Sequence, residues 1–217
     1  GNFGNVFAGY AAKSMGLPID QLIVGSNRND ILTRFFNSGQ MKMSKVAPSL
    51  SPSMDIQVSS NLERLLFDLF DRKGKKLGDA MTAFRETGGF TAPKKGWAAT
   101  SKLFKAYKLD DKETLSAMRD VHKRTGMLVD PHSAIGLAAA LEARQSGKAS
   151  ATPTIALATA HPAKFPDAVE KATGIRPALP AHLADLLSRK ERLSELPNNL
   201  GKVQDYVLAH TRLGHNR

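Results

Sequence analysis

The stretch GNFGNVFAGYAAKSMGLPIDQLIVGSNRNDILTRFFNSG, residues 1–39, decides the fold. Between Asn5 and Met15, the residues Val6, Phe7, Tyr10, Ala11 and Ser14 recur at helical spacing, and Gly16 and Pro18 stop the run. Gln21 to Val24 is a short apolar run between Pro18 and Gly25, the pattern of a buried strand. Asn29 to Asn37 returns to helical spacing, with Ile31, Leu32, Phe35 and Phe36 on the apolar side and Gly39 as the stop. Helix, strand, helix is the grammar of an open α/β sheet. Ahead of it, Gly1-Asn2-Phe3-Gly4-Asn5 runs straight into the first helix. Two glycines let the backbone turn tightly, and the helix start offers free N–H groups and the positive end of the helix dipole. Two readings stand side by side: an anion site, most often for phosphate, or a glycine-rich turn without a ligand. The loop has neither the Gly-Lys-Ser/Thr ending of a Walker loop nor the G-x-G-x-x-G spacing.

Downstream, residues 40–59 form a Ser-, Pro- and Met-rich loop, long enough to suggest a functional segment. Ser60 and Glu63 are spaced as a capping box before Leu62, Leu65, Leu66, Leu69 and Phe70. Leu77, Ala80, Met81 and Phe84 make another helical stripe ended by Gly88 and Gly89, and Asp110 with Glu113 caps a third helix running to Gly126. The α/β grammar then resumes. Met127 to Val129 reads as a short strand, and Asp130-Pro131 as an N-cap followed by proline at the first helical position, with Gly147 as the stop. Thr154 to Ala158 reads as a buried strand, Phe165-Pro166 opens a helix closed by Gly174, and two amphipathic segments follow Pro180. The expected organisation is an α/β portion over residues 1–45, a mainly helical insert over 46–125, and a return to the α/β domain with C-terminal helices over 126–217. The fold class is α/β, a partial open sheet flanked by helices.

The 217 residues suit one large domain or two small ones, and 41% hydrophobic with 24% charged residues excludes a disordered or collagen-like chain. With no cysteine, disulfides, thiolate metal sites and cysteine nucleophiles are excluded. The net charge of +11 raises the question of nucleic acid, but every quarter of the chain carries a basic excess of only two or three, and aromatics are 6%. A phosphate-backbone reader concentrates its charge on one face, so nucleic acid is not expected as a partner. The cluster Arg72, Lys73, Lys75 and Lys76 reads as a solvated interhelical loop. No apolar run is long enough to span a membrane, and Gly1 to Tyr10 has neither the charged start nor the apolar core of a signal peptide. The six histidines offer no i,i+4 pair, so no metal site is expected.

Four blocks in order, the opening 39 residues, "SPSMDI", "DPHSAIG" and "ATAHPAKFPDAV", resemble threonine synthase, a pyridoxal-phosphate enzyme of the tryptophan synthase β-like fold (fold type II). The resemblance is to the C-terminal half of the family and covers essentially the whole chain. It implies that the cofactor phosphate rests on the backbone of Gly1, Asn2, Phe3, Gly4 and Asn5, and that the Thr159 hydroxyl faces the pyridine nitrogen. Read alone, Thr159 is equally a strand-end cap, at the end of a strand where open α/β sheets bind ligands. A hydroxyl, unlike a carboxylate, holds no proton on that nitrogen by charge, so the ring would be a milder electron sink. The resemblance also puts the Schiff-base lysine upstream of the glycine loop. No catalytic residue is therefore expected in this chain, which reads as a fragment. The implied reaction converts O-phosphohomoserine and water to threonine and phosphate, a lyase step of threonine biosynthesis in the cytoplasm. The expected partners are the N-terminal half of the same enzyme and, failing that, a second copy of the chain. Two alternatives stay open: another fold type II lyase such as a dehydratase, or an inactive phosphate-docking or assembly module. His161, Lys164 and Asp55 are further residues that could line the cleft, with ordinary structural roles as the alternative.

Overall fold

The computed structural model describes residues 2–146 and 152–211, which fall into two compact units, one up to Ala178 and one from Leu179. In the first unit, α1 (Gly4–Ser14) leads to β1 (Leu22–Ser26) and α2 (Ile31–Ser38). These are the three opening elements read from the sequence. Gly39 ends α2 at φ 72, a left-handed conformation that costs glycine nothing. The strand β2 (Gln40–Lys42) then pairs antiparallel with β3 (Gly89–Thr91). Between them lie α3 (Leu62–Leu69) and α4 (Gly74–Thr87). After β3 come α5 (Lys94–Leu103) and β4 (Phe104–Lys108), which runs parallel to β1 with Leu22 opposite Phe104 and Ser26 opposite Lys108.

The result is a mixed α/β chain, mostly helical, whose sheet content is partial: the parallel pair β1–β4 and the separate antiparallel pair β2–β3. The stretch 60–125 is mainly helical, but it also carries β3 and β4, and β4 is the partner of β1. Phe104-Lys105-Ala106-Tyr107-Lys108 hides this by carrying two lysines, and only Phe104 is fully buried. The loop expected over 40–59 opens with β2. The capping box expected at Ser60 and Glu63 is not formed: α3 starts after Asn61 without a side-chain cap, and the Ser60 hydroxyl instead accepts from Asn2 Nδ2 at 3.3 Å.

The core of this unit is aromatic. Phe36 and Phe104 stack at 4.8 Å, Phe3 stacks on Phe36 at 5.6 Å, and Phe35 meets Trp97 edge-on at 5.2 Å. Ile31, Leu62, Leu65, Leu66 and Val24 fill the space around them. At Gly96 of α5, an added Cβ would lie 2.5 Å from the carbonyl oxygen of Leu69, so only glycine lets α5 approach α3 this closely.

The helix α6 (Asp111–Thr125) has the capping box read from the sequence. Asp110 Oδ1 accepts from the Glu113 amide at 2.8 Å and Glu113 Oε2 accepts from the Asp110 amide at 2.7 Å. Met118 of α6 packs with Ala134 of α7 (Pro131–Ser146) and with Ala168, Val169 and Ala172 of α8 (Pro166–Thr173) in a second core cluster. The stop expected at Gly147 lies outside the described residues. Met127 to Val129 is not a strand but a short link, with Met127 63% exposed. Nor is Thr154 to Ala158 a strand: it has no regular structure and is largely open to solvent, with Ile155 83% exposed and no strand paired with it among the described residues. A strand is defined by its partner, and apolar composition alone supplies none.

The second unit contains short 3-10 turns at Ala181–Leu183 and Leu186–Ser188, then α9 (Leu200–His210). Asn199 caps α9 by accepting from the Lys202 amide at 3.1 Å. Among the described residues, no helix is long and apolar enough to cross a membrane.

Candidate functional site

A cavity of about 1050 Å³ opens in the first unit between the start of α1, β1, α7 and the segment 152–165. Asn2, Phe3, Gly4 and Asn5 line it, and so does Thr159, which the sequence expectation had joined to them only through a family resemblance. Gly1 lies outside the described residues. Ser53, Met54, His132 and Lys164 also line it, as do Asp20 and Arg144.

The loop at the start of α1 is shaped by Phe3. Its backbone sits at φ 66, in the left-handed region that phenylalanine seldom adopts, while its ring is 2% exposed in the aromatic core. The first intrahelical bond joins the Phe7 amide to the Phe3 carbonyl at 2.9 Å. The amides of Gly4, Asn5 and Val6 therefore precede the helix's own hydrogen bonds and carry the positive end of its dipole. Asn2 Nδ2 donates to Ser60, whereas its amide oxygen is buried without a partner. An asparagine amide can present either end to a ligand. A phosphate-bearing ring compound with a hydroxyl or N–H donor fits this set: first-turn amides for the anion, an unpartnered amide oxygen for the donor, and an apolar wall from Leu22, Met54, Ala140 and Phe165.

The sequence reading took Asp130 only as a helix cap, and the structure gives it more to do. Its side chain is fully buried, 0% exposed. Oδ1 accepts from the His132 amide at 2.9 Å and from His132 Nδ1 at 2.7 Å. Oδ2 accepts from the Ser133 amide at 3.3 Å and from the Ser133 hydroxyl. Burial alone would raise the Asp130 pKa. The hydrogen bonds from His132 and Ser133 outweigh it and hold the carboxyl below its ordinary value. The Ser133 hydroxyl in turn accepts from the Thr159 amide at 3.0 Å, and His132 Nε2 accepts from the Ser53 amide at 3.3 Å. His132 rests against the Phe165 ring at 4.5 Å. The signal in the sequence was Asp-Pro-His-Ser itself: a cap needs one acceptor, and the two polar side chains next to it were left unexplained.

Other candidates fall elsewhere. Asp55 does not line the cavity. Its Oδ1 accepts from Asn27 Nδ2 at 2.7 Å, Asn29 Nδ2 at 2.8 Å and the Ser49 hydroxyl at 2.6 Å, which pins the 43–59 loop to the end of β1. Asp30 holds the N-cap position of α2, without a side-chain capping bond. His161 Nδ1 accepts from the Ala163 amide at 3.1 Å and caps the 3-10 turn Pro162–Lys164. The ammonium of Lys164 lies 5.9 Å from the Phe165 ring centroid, within cation–π range.

A mixed α/β chain that brings a glycine-rich helix start and a hydroxyl-bearing segment to one cavity has the form of part of a small-molecule-binding α/β protein. The family "Threonine synthase, C-terminal" matches residues 133–207. Over 215 residues the chain is 51% identical to the threonine synthase of Pseudomonas aeruginosa, covering 99% of this chain and 45% of that protein. It is 36% identical to the threonine synthase of Corynebacterium glutamicum, over 96% of this chain and 44% of that one. Among solved structures, a pyridoxal-phosphate-bound threonine synthase from Brucella melitensis superposes with a TM-score of 0.82 at 48% identity, covering 98% of this chain and 45% of that one. The yeast threonine synthase gives 0.79 at 35% identity. The chain belongs to the threonine synthase family, as a C-terminal portion, and spans a little under half the length of these relatives.

Proposed function

We propose that this chain is the C-terminal part of a pyridoxal-phosphate-dependent threonine synthase that acts in the cytoplasm. The intact enzyme converts O-phosphohomoserine and water to threonine and inorganic phosphate. The carbon–oxygen bond to the γ-phosphate breaks, and water adds at Cβ. The observation that carries the reading is the meeting of the Asn2–Asn5 loop and Thr159 on one cavity, from opposite ends of the first unit. Bound pyridoxal phosphate would supply the electron sink that makes the substrate's carbon acids labile. This chain's residues would do the holding. The amides of Gly4 and Asn5, with Gly1, Asn2 and Phe3 completing the loop, take the phosphate. The Thr159 hydroxyl faces the ring nitrogen, and the apolar wall keeps water off the ring.

The lysine that binds the cofactor covalently would come from the remainder of the enzyme, and the chain alone would be inactive. Lys164, the only lysine among the described residues lining the cavity, is the rival and is readily excluded or implicated by experiment. The exposed stretch Thr154–Ala158 would be covered by the N-terminal half, its natural partner; without that half the chain would associate with itself. The test is borohydride trapping of pyridoxal phosphate followed by peptide mapping. We expect no trapped cofactor on the chain alone and one trapped lysine, outside this chain, in the whole enzyme. Phosphate release from O-phosphohomoserine should appear only with the whole enzyme. A cofactor trapped on Lys164, or turnover by the chain alone, would overturn the reading.

A further inference from the structure

A helix cap needs a single acceptor oxygen for the first-turn amides, and asparagine or serine serves as well as aspartate. Asp130 uses both carboxylate oxygens, and each one also takes a side chain whose far end holds a different segment of the cavity lining. The polarity of both connections follows from the charge. An ionised carboxylate only accepts. The Ser133 hydroxyl must therefore give its proton to Oδ2, which leaves its lone pairs for the Thr159 amide at 3.0 Å. His132 must keep its proton on Nδ1, facing Oδ1, which leaves Nε2 as the acceptor for the Ser53 amide at 3.3 Å. Asp130, His132 and Ser133 are at most 6% exposed, so water competes little at the carboxylate. The geometry points to Asp130 as a positioning residue: through Ser133 and His132 it fixes Thr159 and Ser53 where the cavity's ligand meets them. The part concerning Thr159 rests on the cofactor reading above.

Asparagine at 130 keeps the shape and the capping oxygen but replaces one acceptor with a donor. That reverses one of the two connections, because an NH2 group facing Ser133 or His132 turns its partner's proton toward the Thr159 or Ser53 amide. The experiment uses the whole protein and two readouts. Hydrogen exchange, without ligand, reports the amides of Thr159 and Ser53. Titration with pyridoxal phosphate, followed by its visible absorbance, reports affinity and the ring's environment. Ser133→Ala should speed exchange at Thr159 but not at Ser53, and His132→Leu the reverse. Ser133→Thr, which keeps the hydroxyl, should restore Thr159. Asp130→Asn should loosen at least one of the two amides. For Ser133→Ala we expect an affinity about five- to tenfold weaker, the scale of one net hydrogen bond, with a shifted absorbance maximum. Ser133→Thr should recover both. Unchanged exchange at Thr159 in Ser133→Ala, or no rescue by Ser133→Thr, would overturn the proposal. If the exchange pattern appears while the unmutated protein takes up no pyridoxal phosphate, the cofactor reading fails and only the ligand-free clamp survives. If the unmutated protein binds the cofactor and the exchange pattern is absent, the positioning role fails alone.

Discussion

Gly96→Ala and Gly78→Ala are the same chemical change in two helices, and the structure gives them opposite signs. In α5, a methyl group at position 96 would stand 2.5 Å from the carbonyl oxygen of Leu69, 2.9 Å from its Cα and 3.1 Å from its carbonyl carbon. Ordinary contact begins near 3.4 Å, so the oxygen must recede by about 0.9 Å. It cannot swing away, because it belongs to the backbone at the end of α3, whose side chain is 4% exposed in the core. Forcing such a move costs about 1–3 kcal/mol. The gain from a better helix former is at most about 1 kcal/mol, and less near a helix start. With a gain of about 0.5 kcal/mol this near the helix start, the net loss is about 0.5–2.5 kcal/mol, or roughly 1–10 °C in thermal midpoint at about 2–4 °C per kcal/mol for a chain of this size. At Gly78 of α4 nothing lies within 4 Å of the added carbon, so only the propensity gain of about 0.5–1 kcal/mol remains. Circular dichroism melts of the two variants against the parent decide the matter. A Gly96→Ala midpoint at or above the parent's, or a Gly78→Ala midpoint below it, would refute the argument from close approach.

Three further outcomes follow from other parts of the molecule. Asp110→Ala removes the acceptor of the α6 capping box and should cost about 1 kcal/mol, read as a fall of about 2–4 °C in melting temperature. Asp30 and Asp130 both have carboxyl pKa values held below the ordinary range. Burial opposes the shift at each site, while Lys108 and Arg34 at Asp30, and His132 and Ser133 at Asp130, outweigh it. A depressed carboxyl pKa stabilises the fold above the unfolded-state value and loses that effect as pH falls through the folded value. Urea midpoints should therefore drop below about pH 4, and Asp30→Asn should flatten that drop. Replacing Ile155 and Leu157 by serine should reduce self-association of the chain on its own; an unchanged sedimentation profile would remove the exposed stretch as its cause.

The sequence reads most clearly where a signal is local. The helices α1, α2 and α6 stop where their glycines say and α6 starts at its predicted cap, because capping and left-handed ends depend on a few neighbouring residues, whereas α2 starts at Ile31 rather than Asn29. Strands read less well. Phe104–Lys108 looks like the tail of a helical stretch and becomes a strand only because β1 is there to pair with it. Thr154–Ala158 has the better strand composition and is not one, because no partner lies beside it among the described residues. The candidate site divides along the same line. The glycine loop announces itself as a helix start with free amides. That Thr159 faces the same cavity is a property of the folded chain, reached in advance only through family resemblance. The links from Asp130 to Thr159 and Ser53 have no signature at fixed spacing, since they join three segments that only the fold brings together.

Phe3 carries a consequence for how a ligand would arrive. A non-glycine residue at φ 66 stores strain of about 1–3 kcal/mol. Burial of its ring against Phe36 and Phe104 is worth about 1.5–3 kcal/mol, a magnitude that offsets the strain. Conformational entropy at Phe3 is thus surrendered when the protein folds, rather than on association. A ligand meets amides that are already aimed. Its capture is governed by encounter with the cavity and its escape by the contacts it makes there, with no slow rearrangement of the loop between them.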